Sequence, residues 1–378
     1  MNSHSIPILA FSICCTLALG LLEPAAAEPT LQFRWLQTDS KTADALVNAI
    51  KGNKLAVDVF GAKIDEQVRS GKITELAFIN KKFISGERFV LSPKTGKMPL
   101  GIEAVASVRE NGSLVDLRYV MEWTPKVPGG TGLLKMNSGM TISNRFYHLC
   151  GRWADARTGF LLLACASGLA VPAPTPDGPL DRAGNPAIAS HIDTEWRETT
   201  AADLAKVTQA PPESRAKALV WLRGRSTQIA STSGIGLLGE KSKLEYLWGG
   251  KSDMELAADI VKNPEKAAKE PPPRPGVTFQ WEPNIIEDDK ALGGITTTDS
   301  IEEIEAKVNH QILSQTLDLR FAATYVPIKA RDESAEIQFE FWGKLSSGVT
   351  EFVSAKTPSK EPGPIVVLIF TPWYDIIR

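Results

Sequence analysis

The chain has 378 residues, of which 43% are hydrophobic, and its 42 Lys and Arg residues nearly balance its 44 Asp and Glu residues. This balance excludes a polybasic nucleic-acid-binding protein, and the apolar fraction is too high for a disordered acidic chain. At roughly 150 residues per domain, the length is typical of two folded domains.

The N-terminus has the pattern of a secretory signal peptide. Residues 6–22 form an apolar run, and Ala25, Ala26 and Ala27 follow it as a small-residue cleavage pattern. Cleavage after Ala27 would remove residues 1–27. The alternative is an uncleaved anchor, which needs about 20 apolar residues, whereas this run is shorter and contains Pro7. We therefore expect an exported protein in the periplasm or at the outer membrane, without a transmembrane helix in the mature chain.

Export bears on the two cysteines of the mature chain, Cys150 and Cys165. The polar residues 155–159 lie close to the midpoint between them, so a hairpin would place the two sulfurs opposite each other. An even cysteine count in an oxidising compartment favours a disulfide. The sequence thus predicts a Cys150–Cys165 disulfide, and the alternative is two buried thiols on opposite faces of a sheet.

Two stretches of the chain share a pattern at equal spacing. An Ile-Glu-Ala tripeptide, an Asp-Leu-Arg-aromatic tetrad and a proline follow one another from Ile102 and again from Ile304. Both tetrads, at residues 116–119 and 318–321, lie where apolar and polar residues alternate, which predicts strands. The repeated order indicates an internal duplication.

Tryptophans and helices extend the match. Trp35 precedes a helix predicted over residues 40–50, and Trp196 precedes a weaker helix that starts after Thr200. A Trp-x5-Gly pattern occurs at both Trp153 and Trp342. We interpret these four tryptophans as buried anchors of the repeat, which leaves three others free to be exposed: Trp248, Trp281 and Trp373.

The predicted fold is mainly β with a few helices (α+β), built of two related β-rich halves with antiparallel sheets. The first half spans residues 28–171, a Pro- and Gly-rich linker spans 172–193, and the second half spans 194–378. Each half would contain an aromatic strand, a helix, a hairpin, a long hairpin and a terminal strand pair. An alternative alignment places residues 275–277 opposite 100–102, and the sequence leaves both alignments open.

These segments together resemble the C-terminal β-domain of secretins, the outer-membrane pore proteins of bacterial type II and type III secretion. Residues 77–89 and 230–242 are similar to the family's strand-turn-strand, residues 276–283 to its Gly-Val strand, and residues 365–372 to its final strand ending in Phe-x-Thr-Pro. The family's Val-Pro-x-Leu-Gly-Asp-Ile-Pro-like segment and its periplasmic ring modules have no counterpart. The resemblance implies a secretin-derived fold without a pore.

The sequence predicts no catalytic, cofactor-binding or metal site. Residues 247–252 end like a phosphate loop, but the required first glycine would fall at Glu245. Adjacent carboxylates at 287–289 lack calcium-loop spacing, and residues 232–236, which we interpret as a turn, lack a nucleophile elbow. The mature histidines are dispersed, without zinc-ligand spacing: His148, His191 and His310.

The sequence therefore predicts a non-enzymatic structural or assembly component of the cell envelope. Its expected partners are further copies of itself or other envelope proteins, with association at the outer membrane and no nucleic acid. The alternative is a soluble periplasmic binding or scaffold module that uses the same fold as a monomer.

Overall fold

The computed structural model describes residues 29–51, 57–92, 100–109, 112, 114–127, 130–143, 146–169, 188–248, 274–285, 316–327, 336–356 and 364–376. The predicted signal peptide with Ala27, the Ile304 tripeptide, His310, the carboxylates at 287–289 and residues 172–187 of the linker lie outside these ranges.

The first half begins with a strand, two helices and a second strand: β1 (Thr30–Asp39), α1 (Ser40–Lys51), α2 (Val57–Arg69) and β2 (Thr74–Lys82). The strands that follow are β3 (Arg88–Leu91), β4 (Leu100–Val108), β5 (Leu114–Trp123), β6 (Lys126–Val127), β7 (Gly130–Ser143), β8 (His148–Ala154) and β9 (Thr158–Ser167).

The second half begins in the same way, with β10 (Ile188–Thr199), α3 (Ala201–Thr208), α4 (Pro212–Arg225) and β11 (Thr227–Gly236). It continues with β12 (Ser242–Trp248), β13 (Gly276–Ile285), β14 (Thr316–Val326), β15 (Ile337–Ser346), β16 (Glu351–Lys356) and β17 (Ile365–Ile376). Residues 188–193, which the sequence assigned to the linker, are thus the first part of β10.

The strands form two antiparallel sheets that both halves share. Sheet 1 has the order β2-β1-β9-β8-β11-β10-β17-β16, and sheet 2 has the order β3-β4-β5-β7-β12-β13-β14-β15, with β6 paired to β7. In each sheet four strands of the first half are followed by their four counterparts from the second half in the same order. The prediction of a mainly β fold with two related halves and antiparallel sheets is confirmed.

The tandem order decides between the two alignments of the halves. β14 takes the place of β5, so that Asp318 corresponds to Asp116, as the tetrads predicted. β13 takes the place of β4, as the alternative alignment proposed, but shifted by two residues: Leu100 faces Trp123, and Val277 faces Tyr325. The first hairpin predicted in each half, around residues 86 and 239, is wrong, because in each case the chain crosses from sheet 1 to sheet 2 there.

The layers are the helices, sheet 1 and sheet 2. The inner faces of the two sheets enclose one continuous core that contains buried residues from both halves, including Trp35, Tyr119, Trp153, Trp196, Phe279, Trp281, Phe321 and Phe370. Smaller clusters lie between sheet 1 and the helices of each half. Because one core spans both halves, they fold as parts of a single structure.

Helix α1 confirms the predicted helix over residues 40–50. Its buried residues recur at helical spacing and face β8 and β9: Ala43, Leu46, Val47 and Ile50. Asp39 caps the helix, because its carboxylate accepts hydrogen bonds from the backbone N–H and hydroxyl of Thr42. The Thr42 hydroxyl and N–H lower the pKa of Asp39. In the second half the hydroxyl of Thr200 accepts from Asp203 N, as expected for the cap of α3.

Candidate functional site

The junction between the halves is a pair of strand contacts, one in each sheet. In sheet 1, β8 pairs with β11, where Arg152 lies opposite Ser233; in sheet 2, β7 pairs with β12, where Asn137 lies opposite Lys243. The backbone hydrogen bonds of these two strand pairs therefore join the two halves edge to edge. Since the order is tandem, the last strand of one unit meets the first edge of the next.

Buried hydroxyls bind the two layers together at this junction. The Oγ atoms of Ser138 on β7 and Ser242 on β12 lie 2.9 Å apart, and the same Ser138 hydroxyl donates to the carbonyl oxygen of Ile235 on β11. All three residues are buried. A buried polar group that finds its partners avoids a desolvation cost of about 1–3 kcal/mol, so this network fixes the register of β7 against both β11 and β12.

An ion pair crosses the junction on the outer face of sheet 2. Arg118 on β5 donates through Nη2 to Oε1 of Glu240 and through Nε to Oε2 at 3.2 Å. Glu240 raises the pKa of Arg118 through the hydrogen bond. Beside the pair, Gly139 leaves no room for a side chain, because a Cβ there would lie 2.7 Å from Cδ1 of Leu237.

The turn that presents Glu240 occurs twice in the molecule. In the second half Gly239 has φ 73°, its N–H donates to Pro283 O at 2.8 Å, and Glu240 N donates to Leu237 O at 3.2 Å. In the first half Gly86 has φ 82°, its N–H donates to Ala106 O at 2.8 Å, and Glu87 N donates to Ile84 O at 3.1 Å. A positive φ favours glycine at both centres, and Glu87 is the counterpart of Glu240.

Each sheet has a free edge at both ends. Among the described strands, β2 and β3 are neighboured on one side only, and so are β16 and β15. Five of the exposed large hydrophobic residues lie at these two ends: Phe78, Ile84 and Val90 at the first, and Trp342 and Val349 at the second. Unpaired strand edges with apolar side chains are sites for pairing with another chain.

The two ends differ in charge. At the β2–β3 end, Lys72, Lys81, Lys82 and Arg88 outnumber Glu75 and Glu87. Among the described side chains of the β15–β16 end, Glu336, Glu340 and Glu351 outnumber Lys344. The first edge therefore has a small excess of basic groups and the second a small excess of acidic groups, which favours contact between unlike edges over contact between like edges.

Trp342 is the most exposed large hydrophobic residue described, at 73%. Its Nε1 donates to Oδ1 of Asp318 at 2.8 Å, and the guanidinium of Arg320 lies 5.0 Å from the ring centroid. Trp342 and Arg320 border a shallow, open depression of about 570 Å³ on sheet 2 that Gln280, Glu282 and Glu340 also line. The contacts with Asp318 and Arg320 fix the position of the indole on the outer face of the edge strand β15.

The structure separates the four predicted anchor tryptophans. Trp35 and Trp196 are buried at equivalent positions, as predicted. The match of Trp153 with Trp342 is wrong: Trp153 is buried on β8 in sheet 1, while Trp342 lies on β15 in sheet 2. By position in the sheet, the counterpart of Trp153 is Ala355, which lies on β16, the strand equivalent to β8. The equal Trp-x5-Gly spacing was misleading because it occurs on strands that are not equivalent.

The other three tryptophans have different environments. Trp281 is buried in the core, and Trp248 is half-buried between the rings of Tyr246 and Tyr325. Trp373 is 40% exposed, but its Nε1 donates to Asp193 at 3.1 Å. These tryptophans do not form one continuous face.

The predicted disulfide is wrong, because Cys150 and Cys165 form no disulfide and both are buried. Cys150 is the extra residue of a bulge in β8 and faces the core between the sheets, whereas Cys165 faces the helices. The alternative of two thiols on opposite faces is the correct one. The symmetric position of the turn did not place the two cysteines opposite each other, because the hairpin pairs His148 with Ala164 and the bulge at Cys150 shifts the register.

A polar cluster lies where α1 meets β8 and β10 on the helix side of the junction. Arg152 pairs with Asp44, and Lys51 pairs with Asp193. Burial raises the pKa of Asp44. His191 is buried beside them, and its pKa is lowered to about 3 by burial and then by Lys51. The Lys51–Asp193 pair links the first helix to the second half, and the Arg152–Asp44 pair links the same helix to the strand at the junction.

The remaining motifs have structural positions. Residues 232–236 lie within β11, so our interpretation of them as a turn is wrong. His148 is buried, and its Nε2 accepts from Ser143 N at 3.2 Å. Among the described residues, no group of three or more His, Cys, Asp and Glu side chains could hold a metal ion. In the same part of the chain, no helix has the length and apolar character to cross a membrane.

The fold and junction define a three-layer protein of helices and two shared antiparallel sheets, built from two tandem units. No protein-family model, curated protein or solved structure matches the chain.

Proposed function

We propose that this protein is a non-enzymatic structural component of the cell envelope that acts through contacts at the edges of its sheets. The observation that carries the proposal is the tandem strand order, in which one edge-to-edge junction is already formed inside the chain and equivalent strands remain free at both ends. The resemblance of residues 77–89, 230–242, 276–283 and 365–372 to secretins supports an assembly role in the same compartment.

The placement of polar groups supports this proposal. At the junction the buried hydroxyls of Ser138 and Ser242 bind each other, and Arg152 and Lys51 pair with carboxylates. These groups stabilise the contact between halves. The exposed apolar residues, by contrast, concentrate at the free edges, where a partner strand would cover them.

The test is fractionation of cells that make the full-length protein, followed by electrophoresis of the envelope fraction with and without heating. An assembly component gives multimers in that fraction, and their band shifts to the monomer position only after denaturation. A monomer of about 40 kDa that is found solely in the soluble periplasm contradicts the proposal.

The second candidate function is a monomeric binding module, which the depression beside Trp342 favours. An exposed indole with Arg320, Gln280 and Glu340 around it could hold a polar ligand with one flat apolar face. Its test is tryptophan fluorescence during titration with sugars and short peptides, compared between the natural protein and Trp342→Ala. If the protein is a periplasmic monomer and its fluorescence response to a ligand depends on Trp342, the binding function is supported in place of the assembly function.

A further inference from the structure

We propose that copies of this chain join head to tail, with the β15–β16 edge of one copy pairing with the β2–β3 edge of the next. The contact would repeat the geometry of the internal junction. This inference rests on the proposed function, since it names the partner and the register of the same edges. Four observations carry it: strand equivalence, a repeated ion pair, matched exposed side chains and complementary charge.

Strand equivalence gives the register in sheet 1. β11 corresponds to β2 because Trp196 faces Ala230 as Trp35 faces Ala77, so Ser233 corresponds to Asn80. β8 corresponds to β16 through their pairing with β9 and β17, so Arg152 corresponds to Ser354. The internal pair Arg152 and Ser233 therefore predicts that Ser354 of one copy lies opposite Asn80 of the next.

Each residue of the ion pair at the junction has a counterpart in the other half of the chain. Arg320 on β14 is the counterpart of Arg118 on β5, and Glu87 is the counterpart of Glu240 in the duplicated turn. Arg118 and Glu240 meet across the internal junction. The same geometry between copies brings Arg320 to Glu87 of the next copy. Within its own chain Arg320 is 3.7 Å from Asp318 and has no glutamate turn beside it among the described residues.

Exposed apolar residues also fall opposite each other. Trp342 occupies on β15 the position of Gly139 on β7, and Ile84 occupies the position of Leu237. Gly139 and Leu237 are in close approach at the internal junction. Between copies, Trp342 would therefore cover Ile84, which is 66% exposed. Because the position of Gly139 at the internal junction has no room for a side chain, the contact between copies must open locally around the indole of Trp342, which then buries both surfaces.

Charge selects the direction of assembly. The small basic excess of the β2–β3 end and the small acidic excess of the β15–β16 end favour contact between unlike ends over contact between like ends. The contact is thus heterologous, and repeated use of it produces a closed ring or an open filament with two structural units per copy.

Cysteine cross-linking tests the register. Full-length Asn80→Cys and Ser354→Cys proteins are prepared separately, mixed and oxidised. The proposal expects a covalent heterodimer in the mixture, which peptide mapping assigns to residues 80 and 354, and a ladder of multimers from the double variant. Lys63→Cys, on the exposed surface of α2, is the matched control and gives no product with Ser354→Cys.

A charge exchange supplies an independent readout. Arg320→Glu and Glu87→Arg are each expected to weaken assembly about tenfold or more, and the two changes together are expected to restore it. Light scattering measures the assembly, and circular dichroism confirms that each variant is folded. The same exchange at Arg118 and Glu240 should leave the assembly unchanged, because that pair is internal.

The outcomes separate this inference from the proposed function. Multimers that cross-link Asn80→Cys to itself, or that form without any 80 to 354 product, overturn the head-to-tail register and leave an assembly role standing. A protein that stays monomeric at all concentrations and is absent from the envelope fraction overturns both. Cross-linking with the expected pair but without rescue by the charge exchange removes the Arg320 contact alone from the interface.

Discussion

Trp35 and Trp196 occupy the same position in the two halves of the fold. Each lies opposite an alanine on one neighbouring strand and a leucine on the other, Ala77 and Leu162 for the first and Ala230 and Leu368 for the second. In both cases the register of the pairing shifts directly after the tryptophan. A shared bulge beside a shared buried ring identifies the duplication more firmly than residue identity alone.

Trp196→Ala is expected to lower the free energy of unfolding by about 3–5 kcal/mol, because it leaves a large cavity in the core between the sheets. Trp342→Ala should change it by less than about 0.5 kcal/mol, since this indole is mostly in solvent. Urea unfolding followed by circular dichroism at dilute, monomeric concentration compares the two. Equal losses would contradict the placement of these residues.

Gly276→Ala is expected to destabilise the protein by about 2–4 kcal/mol. Gly276 has φ 147°, and a Cβ there would lie 2.4 Å from the carbonyl oxygen of Tyr246 on the neighbouring strand. Gly224→Ala on α4 is the control: its Cβ meets nothing within 4 Å, and the change should stabilise the helix by up to about 1 kcal/mol. Thermal unfolding of both variants measures the difference in sign.

Acid should destabilise the fold through its buried histidines. Burial lowers the pKa of His148 to about 4 and that of His191 to about 3. In the unfolded chain histidines titrate near 6.5, so below that pH the unfolded state binds protons that the folded state does not. The contribution of the neutral histidines to the free energy of unfolding is complete above about pH 6.5. It falls as the pH drops toward 4, by up to about 1.4 kcal/mol per pH unit for each histidine.

His148→Gln isolates this effect, since the amide oxygen can still accept the hydrogen bond from Ser143 N. Urea unfolding at pH 7, 6 and 5 should show a smaller loss of stability for the variant than for the natural protein. Identical slopes would mean that the imidazole of His148 is protonated or accessible in the folded state.

Both cysteines should be reduced and protected. Cys150 and Cys165 are buried on opposite faces of sheet 1, and burial raises the pKa of the Cys150 thiol. A maleimide should label neither of them in the folded protein and both in urea. The labelled peptides are mapped by mass spectrometry, and a peptide pair that loses its link on reduction would contradict the structure.

The sequence predicted the strands where side-chain alternation is strong. Strand β5 places Leu117, Tyr119, Met121 and Trp123 in the core, as alternation indicated. Helices α2 and α4 were not predicted. Each has a weak but readable signal, Phe60 and Ile64 in α2, and Leu219 and Leu222 after the initial Pro212 in α4.

The free edges could not be found from sequence. The exposure of Ile84 and Trp342 depends on which strands lack a neighbour, and that is a property of sheet order. The same holds for Arg118 and Arg320, which have the same local sequence but different partners, since among the residues that the structure describes a glutamate turn lies beside Arg118 and not beside Arg320.

The composition and length of this chain determined a folded, charge-balanced protein large enough for two units, and its repeated motifs determined that the units are related. Only the tertiary structure decided that these units are not separate domains, because the ladders from β8 to β11 and from β7 to β12 merge them into shared sheets around one core. The physical reason is that alternation fixes which face of a strand is buried, whereas backbone hydrogen bonding between distant strands fixes which edges meet.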